Sequence, residues 1–126
     1  MISTKKIKHF LQKRLYSFVY AGKGLAYLIR TETQFQVHIL LAFVAIIIGV
    51  CLHISPTEWA LLSSAIGLVL CAEAFNTAIE QIVNWLSPEH HHQAGKIKDI
   101  AAGAVLLSAL AALGVGIAIF IPKLYF

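Results

Sequence analysis

Apolar residues follow two different rhythms along this chain. Between residues 5 and 30 they recur every three to four positions. Ile7, Phe10, Leu11, Leu15, Phe18 and Val19 fall on one side of a helix, and Lys6, Gln12, Lys13 and Ser17 fall largely on the other. That spacing predicts an amphipathic helix on a membrane surface, with lysines reaching the headgroups, or packed on other protein. Gly22 and Gly24 are expected to loosen or bend it. Three near-continuous apolar runs follow, over residues 37–54, 59–86 and 100–121. Each supplies the roughly 20 residues needed to cross about 30 Å of hydrocarbon. His53 to Glu58 read as a short turn: Pro56 breaks the first run, Ser55 or Thr57 can cap the next helix, and Trp59 suits an aromatic belt. The second connection, residues 87–99, is longer and polar, and Pro88 stops the helix before it. The expected fold is an all-α membrane protein. Residues 1–126 form one domain, with a surface-helix region over 1–35 and three transmembrane helices.

Composition sharpens that picture. The 126 residues are 59% apolar and 13% charged, against about 45–50% apolar in a soluble protein. A soluble domain this small could not hide so much apolar surface, so lipid must cover part of it. Of ten Lys and Arg, seven (Lys5, Lys6, Lys8, Lys13, Arg14, Lys23 and Arg30) precede the first long run, and the net charge is +4. A basic segment beside membrane spans faces anionic headgroups rather than nucleic acid. The positive-inside rule puts this segment and the Lys96–Lys98 loop in the cytoplasm, and the Pro56 turn and C-terminus outside despite Lys123. The basic start leads into an amphipathic stretch with no small-residue cleavage site, which does not read as a cleaved leader. Cys51 and Cys71 lie inside apolar runs and read as small core residues, not as a disulfide or metal pair.

The chemistry sits on the second span. At 100° per residue, Glu80 and Asn84 fall about 20° to either side of Glu73, Thr77 about 40° away and Asn76 about 60° away. A charge in mid-membrane costs about 2.5–3.5 kcal/mol even on the lenient insertion scale. Two acids on one face therefore call for a metal ion or a basic partner. Glu73 lies about 10 Å deeper along the axis than Glu80. Glu32 before the first span, and Lys98 and Asp99 at the start of the third, lie on the cytoplasmic side and can converge there. Carboxylates with phosphate oxygens suit Mg²⁺, and a lysine alongside can neutralise phosphate charge. No Walker A loop is present, since Gly95-Lys96 lacks the upstream glycine and the following Ser or Thr. On the third span Ala104, Ser108, Ala112 and Gly116 form a smooth strip that permits close helix contact, and so thin a bundle is expected to self-associate.

These residues resemble a known family. Glu73-Ala74-Phe75-Asn76-Thr77-Ala78-Ile79-Glu80-Gln81-Ile82-Val83-Asn84 is similar to the signature of the prokaryotic diacylglycerol kinases. The segments Ser87-Pro88-Glu89-His90-His91, Ala94 to Leu106, Lys23-Gly24 and Thr31 to Phe35 match at consistent spacing over nearly the whole chain. The resemblance implies a homotrimeric, ATP-dependent lipid kinase of the bacterial cytoplasmic membrane, with sites shared between neighbouring subunits. It implies that Glu73 is the general base toward the lipid hydroxyl, with Asn76 in the same polar site. Glu32 and Glu80 would hold Mg²⁺ with ATP, and Lys13, Tyr20, Glu89, His90, His91, Lys98 and Asp99 would lie around the nucleotide. The sequence departs from the family pattern at Asn84 (usually Asp), His90 (often Tyr) and Gln36 (often Arg).

The expected reaction is the family's namesake one, diacylglycerol to phosphatidic acid in phospholipid metabolism, with undecaprenol as the alternative acceptor. A branch with similar Ser-Pro-Glu loops and a Pro-x-Glu-Trp turn, as at Pro56 to Trp59, phosphorylates undecaprenol. A proton- or ion-conducting subunit would explain a deep Glu73 but not the cytoplasmic group of Glu32, Glu80, Lys98 and Asp99. Consecutive histidines at 90–92 lack the helical i, i+4 spacing of zinc sites and read as a solvated loop brushing nucleotide.

Overall fold

The computed structural model describes residues 4–89 and 91–125. These form four helices: α1 (Thr4–Thr31), α2 (Thr33–Cys51), α3 (Pro56–Leu86) and α4 (His92–Tyr125). The chain divides into two units, Met1–Thr33 and Gln34–Phe126.

The first unit is one helix. α1 runs unbroken through Gly22 and Gly24, and a Cβ at either would meet nothing within 4 Å. Glycine weakens a helix interior by about 1 kcal/mol without removing a hydrogen bond, so the ladder continues where the sequence suggested loosening. Thr31 ends it, with its hydroxyl donating to the Tyr27 carbonyl (2.9 Å) and Glu32 Oε1 within reach as the alternative acceptor (3.2 Å).

In the second unit α2, α3 and α4 are each long and apolar enough to cross a membrane. Only 11%, 22% and 11% of their most apolar windows are buried within the protein. The remaining apolar surface faces outward, and water would not tolerate it. Cys51 and Cys71 belong to that outer surface. The expectation that they fill a core therefore fails, because in so thin a bundle most apolar positions face outward.

The turn after α2 is more specific than a proline break. His53 adopts φ 49°, Ile54 N–H donates to the Gly49 carbonyl (3.2 Å) and His53 N–H to the Val50 carbonyl (3.2 Å). This is a Schellman closure with histidine at the left-handed position usually given to glycine. It ends α2 at Cys51, before the expected limit at residue 54. Ser55 then caps α3: its Oγ accepts from Glu58 N–H (3.3 Å) and its own N–H donates to Glu58 Oε2 (2.6 Å), with Pro56 at the first helical position. α3 thus starts at Pro56, three residues before the apolar run.

Ile54, Leu62 and Ile119 form a buried cluster with Trp59, Ile66, Val115 and Phe120 against it. Trp59 packs inward here, over Gly49. A Cβ on Gly49 would stand 3.1 Å from both Trp59 Cη2 and Ile54 Cδ1, so any larger residue would make these side chains give by a few tenths of an ångström. α3 and α4 pack side by side along most of their length, and Lys123 Nζ meets Glu58 Oε2 at 3.3 Å. The end of α4 therefore lies at the end of the bundle that carries the Pro56 turn. At the other end α4 begins at His92, not near residue 100, so Lys96, Lys98 and Asp99 are helical. Its 34 residues span about 50 Å at 1.5 Å each, longer than the hydrocarbon layer of about 30 Å. The first turns extend past the apolar segment.

Candidate functional site

α3 turns its polar face toward the interior. Glu73, Asn76 and Thr77 are buried, with relative exposures of 4%, 9% and 6%, and Glu80 is half-buried. The 3.6-residue repeat places these groups together, while Phe75, Ile82 and Trp85 point outward. Asn76 Nδ2 donates to Glu80 Oε1 at 3.2 Å. That bond fixes the amide orientation and leaves Asn76 Oδ1 buried, with no hydrogen-bond partner among the described residues. A buried acceptor in this state costs about 1–3 kcal/mol, so a ligand or partner group that donates to it, or a cation, would be held firmly there.

Glu73 faces a residue that sequence reasoning did not single out. His38 Nε2 of α2 lies 3.8 Å from Glu73 Oε2, with both side chains largely buried. An ionisable residue inside the first apolar run was the available signal. His38 is five residues into α2, about 8 Å from its start. Glu73 therefore sits beside the first turns of α2. His38 also borders an apolar groove of about 410 Å³ between α2, α3 and α4, lined by Leu41, Ala45, Ile66, Ala112 and Phe120 among others.

One turn beyond Glu80, a second cleft of about 520 Å³ gathers Asn84, Glu89, His91, Lys98 and Asp99. Lys98 Nζ donates to Asn84 Oδ1 at 2.5 Å, which pins the first turns of α4 to the end of α3. His91 caps α4, its Nδ1 accepting from Gln93 N–H at 3.3 Å. Lys96 lines the same cleft. His90 lies outside the described residues. The five positions expected around the nucleotide on this side thus include four that share one cleft, namely Glu89, His91, Lys98 and Asp99.

Lys13, Tyr20 and Glu32 belong to the first unit. Lys13 and Tyr20 are exposed and seven residues apart, hence on one face of α1 about 10 Å apart along its axis. The Tyr20 ring carries Lys23 Nζ 5.5 Å above it. Glu32 is half-buried at the joint between α1 and α2, and its N–H donates to the Leu28 carbonyl at 3.0 Å. Among the described residues no three His, Cys, Asp or Glu side chains gather as a metal cluster.

Three apolar helices with an inward file of carboxylate and amide groups, and a cleft of mixed charge beyond it, define an integral membrane protein with a polar interior face. The chain belongs to the prokaryotic diacylglycerol kinase family, whose model matches residues 19–120. It is 37% identical over 123 residues to the undecaprenol kinase of Bacillus subtilis, covering 98% of this chain and 100% of that one. It is 38% identical over 111 residues to a diacylglycerol kinase of Synechocystis, covering 87% of this chain and 63% of that longer protein. With the diacylglycerol kinase of Escherichia coli the identity is 31% over 93 residues, 74% of this chain and 76% of the relative. The protein is accordingly a membrane lipid kinase.

Proposed function

We propose that this kinase transfers the γ-phosphoryl group of Mg-ATP to the terminal hydroxyl of undecaprenol, giving undecaprenyl phosphate. The observation that carries a lipid-hydroxyl reaction is the inward-facing file Glu73–Asn76–Glu80, with the Asn76 Oδ1 acceptor buried and partnerless among the described residues. The polyprenol acceptor is favoured by the end-to-end match with the Bacillus subtilis enzyme. Diacylglycerol, the namesake acceptor, is the second reading, supported by the relatives in Synechocystis and Escherichia coli.

In this reading Glu73 takes the hydroxyl proton as the phosphoryl group moves, the task of a positioned general base. Glu80 and Glu32 supply the carboxylates toward Mg²⁺, as the resemblance implies. Glu80 and the orphaned Asn76 oxygen are hard donors of the kind that ion takes. Bound Mg²⁺ would neutralise charge on the β- and γ-phosphates. Lys98 supplies positive charge to the cleft. Glu89, His90, His91 and Asp99, with Lys13 and Tyr20 from α1, complete the nucleotide surroundings. α1 lies at the headgroup level of the bacterial cytoplasmic membrane, with its basic side and the α3–α4 loop in the cytoplasm and the C-terminus outside. The working form is a homotrimer with sites shared between neighbours, in which the outward apolar faces of the spans meet each other and lipid.

The test is purified protein in lipid bilayers with Mg-ATP and either undecaprenol or diacylglycerol, following labelled phosphate. Phosphorylated undecaprenol is expected as the main product. Diacylglycerol as the faster acceptor would replace the first reading by the second, and no labelled lipid from either would sink both. Chelating Mg²⁺ should stop transfer.

A further inference from the structure

We propose that His38 is a positioning residue for Glu73, holding its carboxylate in the orientation that receives the lipid hydroxyl proton. This rests on the reading of Glu73 as the base. The two groups come from different helices, and the 3.8 Å between Nε2 and Oε2 is within the range of electrostatic attraction but longer than a hydrogen bond. Contacts of this kind often tighten only when substrate is bound.

Three observations support the assignment. His38 lies among Val37, Ile39, Leu40 and Leu41, where an imidazole is costly without a polar partner. Both side chains are withdrawn from the surface, at 18% and 5% exposure, so their attraction is weakly screened. His38 also borders the apolar groove, so one imidazole both lines that groove and faces the buried carboxylate. An Nε2–H directed at Oε2 would fix the plane of the carboxylate. The phosphoryl and proton transfers themselves are unchanged: the hydroxyl proton goes to Glu73, and His38 gains and loses none.

The experiment compares full-length wild type, His38→Leu, His38→Gln and Glu73→Gln in the same bilayers, with kcat and both KM values measured. Leu removes the N–H at similar size, whereas Gln keeps an N–H donor. His38→Leu should lower kcat about 10- to 100-fold, less than the 100- to 10,000-fold that a general base itself contributes. The KM for ATP should stay within about twofold, because the nucleotide is not held by this pair. His38→Gln should recover most of the rate. A His38→Leu kcat within twofold of wild type, or equal losses in Leu and Gln, would overturn the proposal. If Leu at this depth does not fold, His38→Ala with added imidazole carries the same question. Recovery of rate with imidazole supports positioning, and no recovery overturns it. Near-normal turnover in Glu73→Gln would defeat the base reading itself. An inactive Glu73→Gln beside a normal His38→Leu would defeat only the role of His38.

Discussion

Lys98 Nζ donates to Asn84 Oδ1 at 2.5 Å, joining the second turn of α4 to the last turn of α3 at the edge of the cleft. Asn84 occupies the place where the family signature usually has aspartate. The contact is a charge–dipole hydrogen bond, so the amide offsets less of the lysine's positive field than a carboxylate there would. Asn84→Asp should therefore keep the fold and raise the KM for ATP a few-fold. The stability gain should stay below about 1 kcal/mol, since the pair is exposed. ATP titration of the kinase rate together with thermal unfolding in detergent checks both. A lower KM would show that the cleft prefers the neutralised lysine.

Asn76 holds Glu80 through its Nδ2. Asn76→Asp puts a second carboxylate about where the amide now stands, and like charges that close disfavour ionisation of both. Turnover at ordinary Mg²⁺ should fall at least about tenfold, the scale of a misplaced polar group. If the added acid helps to bind the metal, high Mg²⁺ should restore part of the rate. Asn76→Ala leaves no such charge and should show no Mg²⁺-dependent rescue. Rates measured across a Mg²⁺ series separate the two variants.

His53 keeps a positive φ that an L-residue adopts at a cost of roughly 1–2 kcal/mol, and glycine adopts freely. Because glycine also loses more entropy on folding, His53→Gly should stabilise the protein by about 0.5–1 kcal/mol net. Kinase activity should be unchanged, since the turn lies at the opposite end of the bundle from the Lys98 cleft. A drop in the thermal midpoint would show that the imidazole makes a compensating contact.

Glu58 closes the Ser55 capping box and also meets Lys123 from the end of α4. Glu58→Ala should destabilise by about 1–2 kcal/mol, the cap contributing most and the partly exposed ion pair less. Lys123→Met should cost under about 1 kcal/mol, because it removes only the pair. Thermal inactivation of the two variants gives the ranking, with KM values expected to stay at wild-type levels.

Much of this protein is legible in the order of its residues. Unbroken apolar runs require spans, because no small soluble core could hold them, and the 3.6-residue repeat places Glu73, Asn76, Thr77 and Glu80 on one face wherever the helix packs. Ser55, Pro56 and Glu58 announce a helix start through local hydrogen bonds alone. Helix limits were less legible where tertiary or solvent contacts decide them. α4 begins at His92 because its polar first turns are capped by His91 and tied to Asn84, neither of which an apolar count registers. The inward aim of the polar file, the meeting of His38 with Glu73, the seating of Trp59 on Gly49 and the outward placement of both cysteines depend on which helices become neighbours. Periodicity states which side chains share a face. Only the packing of α2, α3 and α4 states what that face looks at, since contacts between residues far apart in sequence leave no spacing to read.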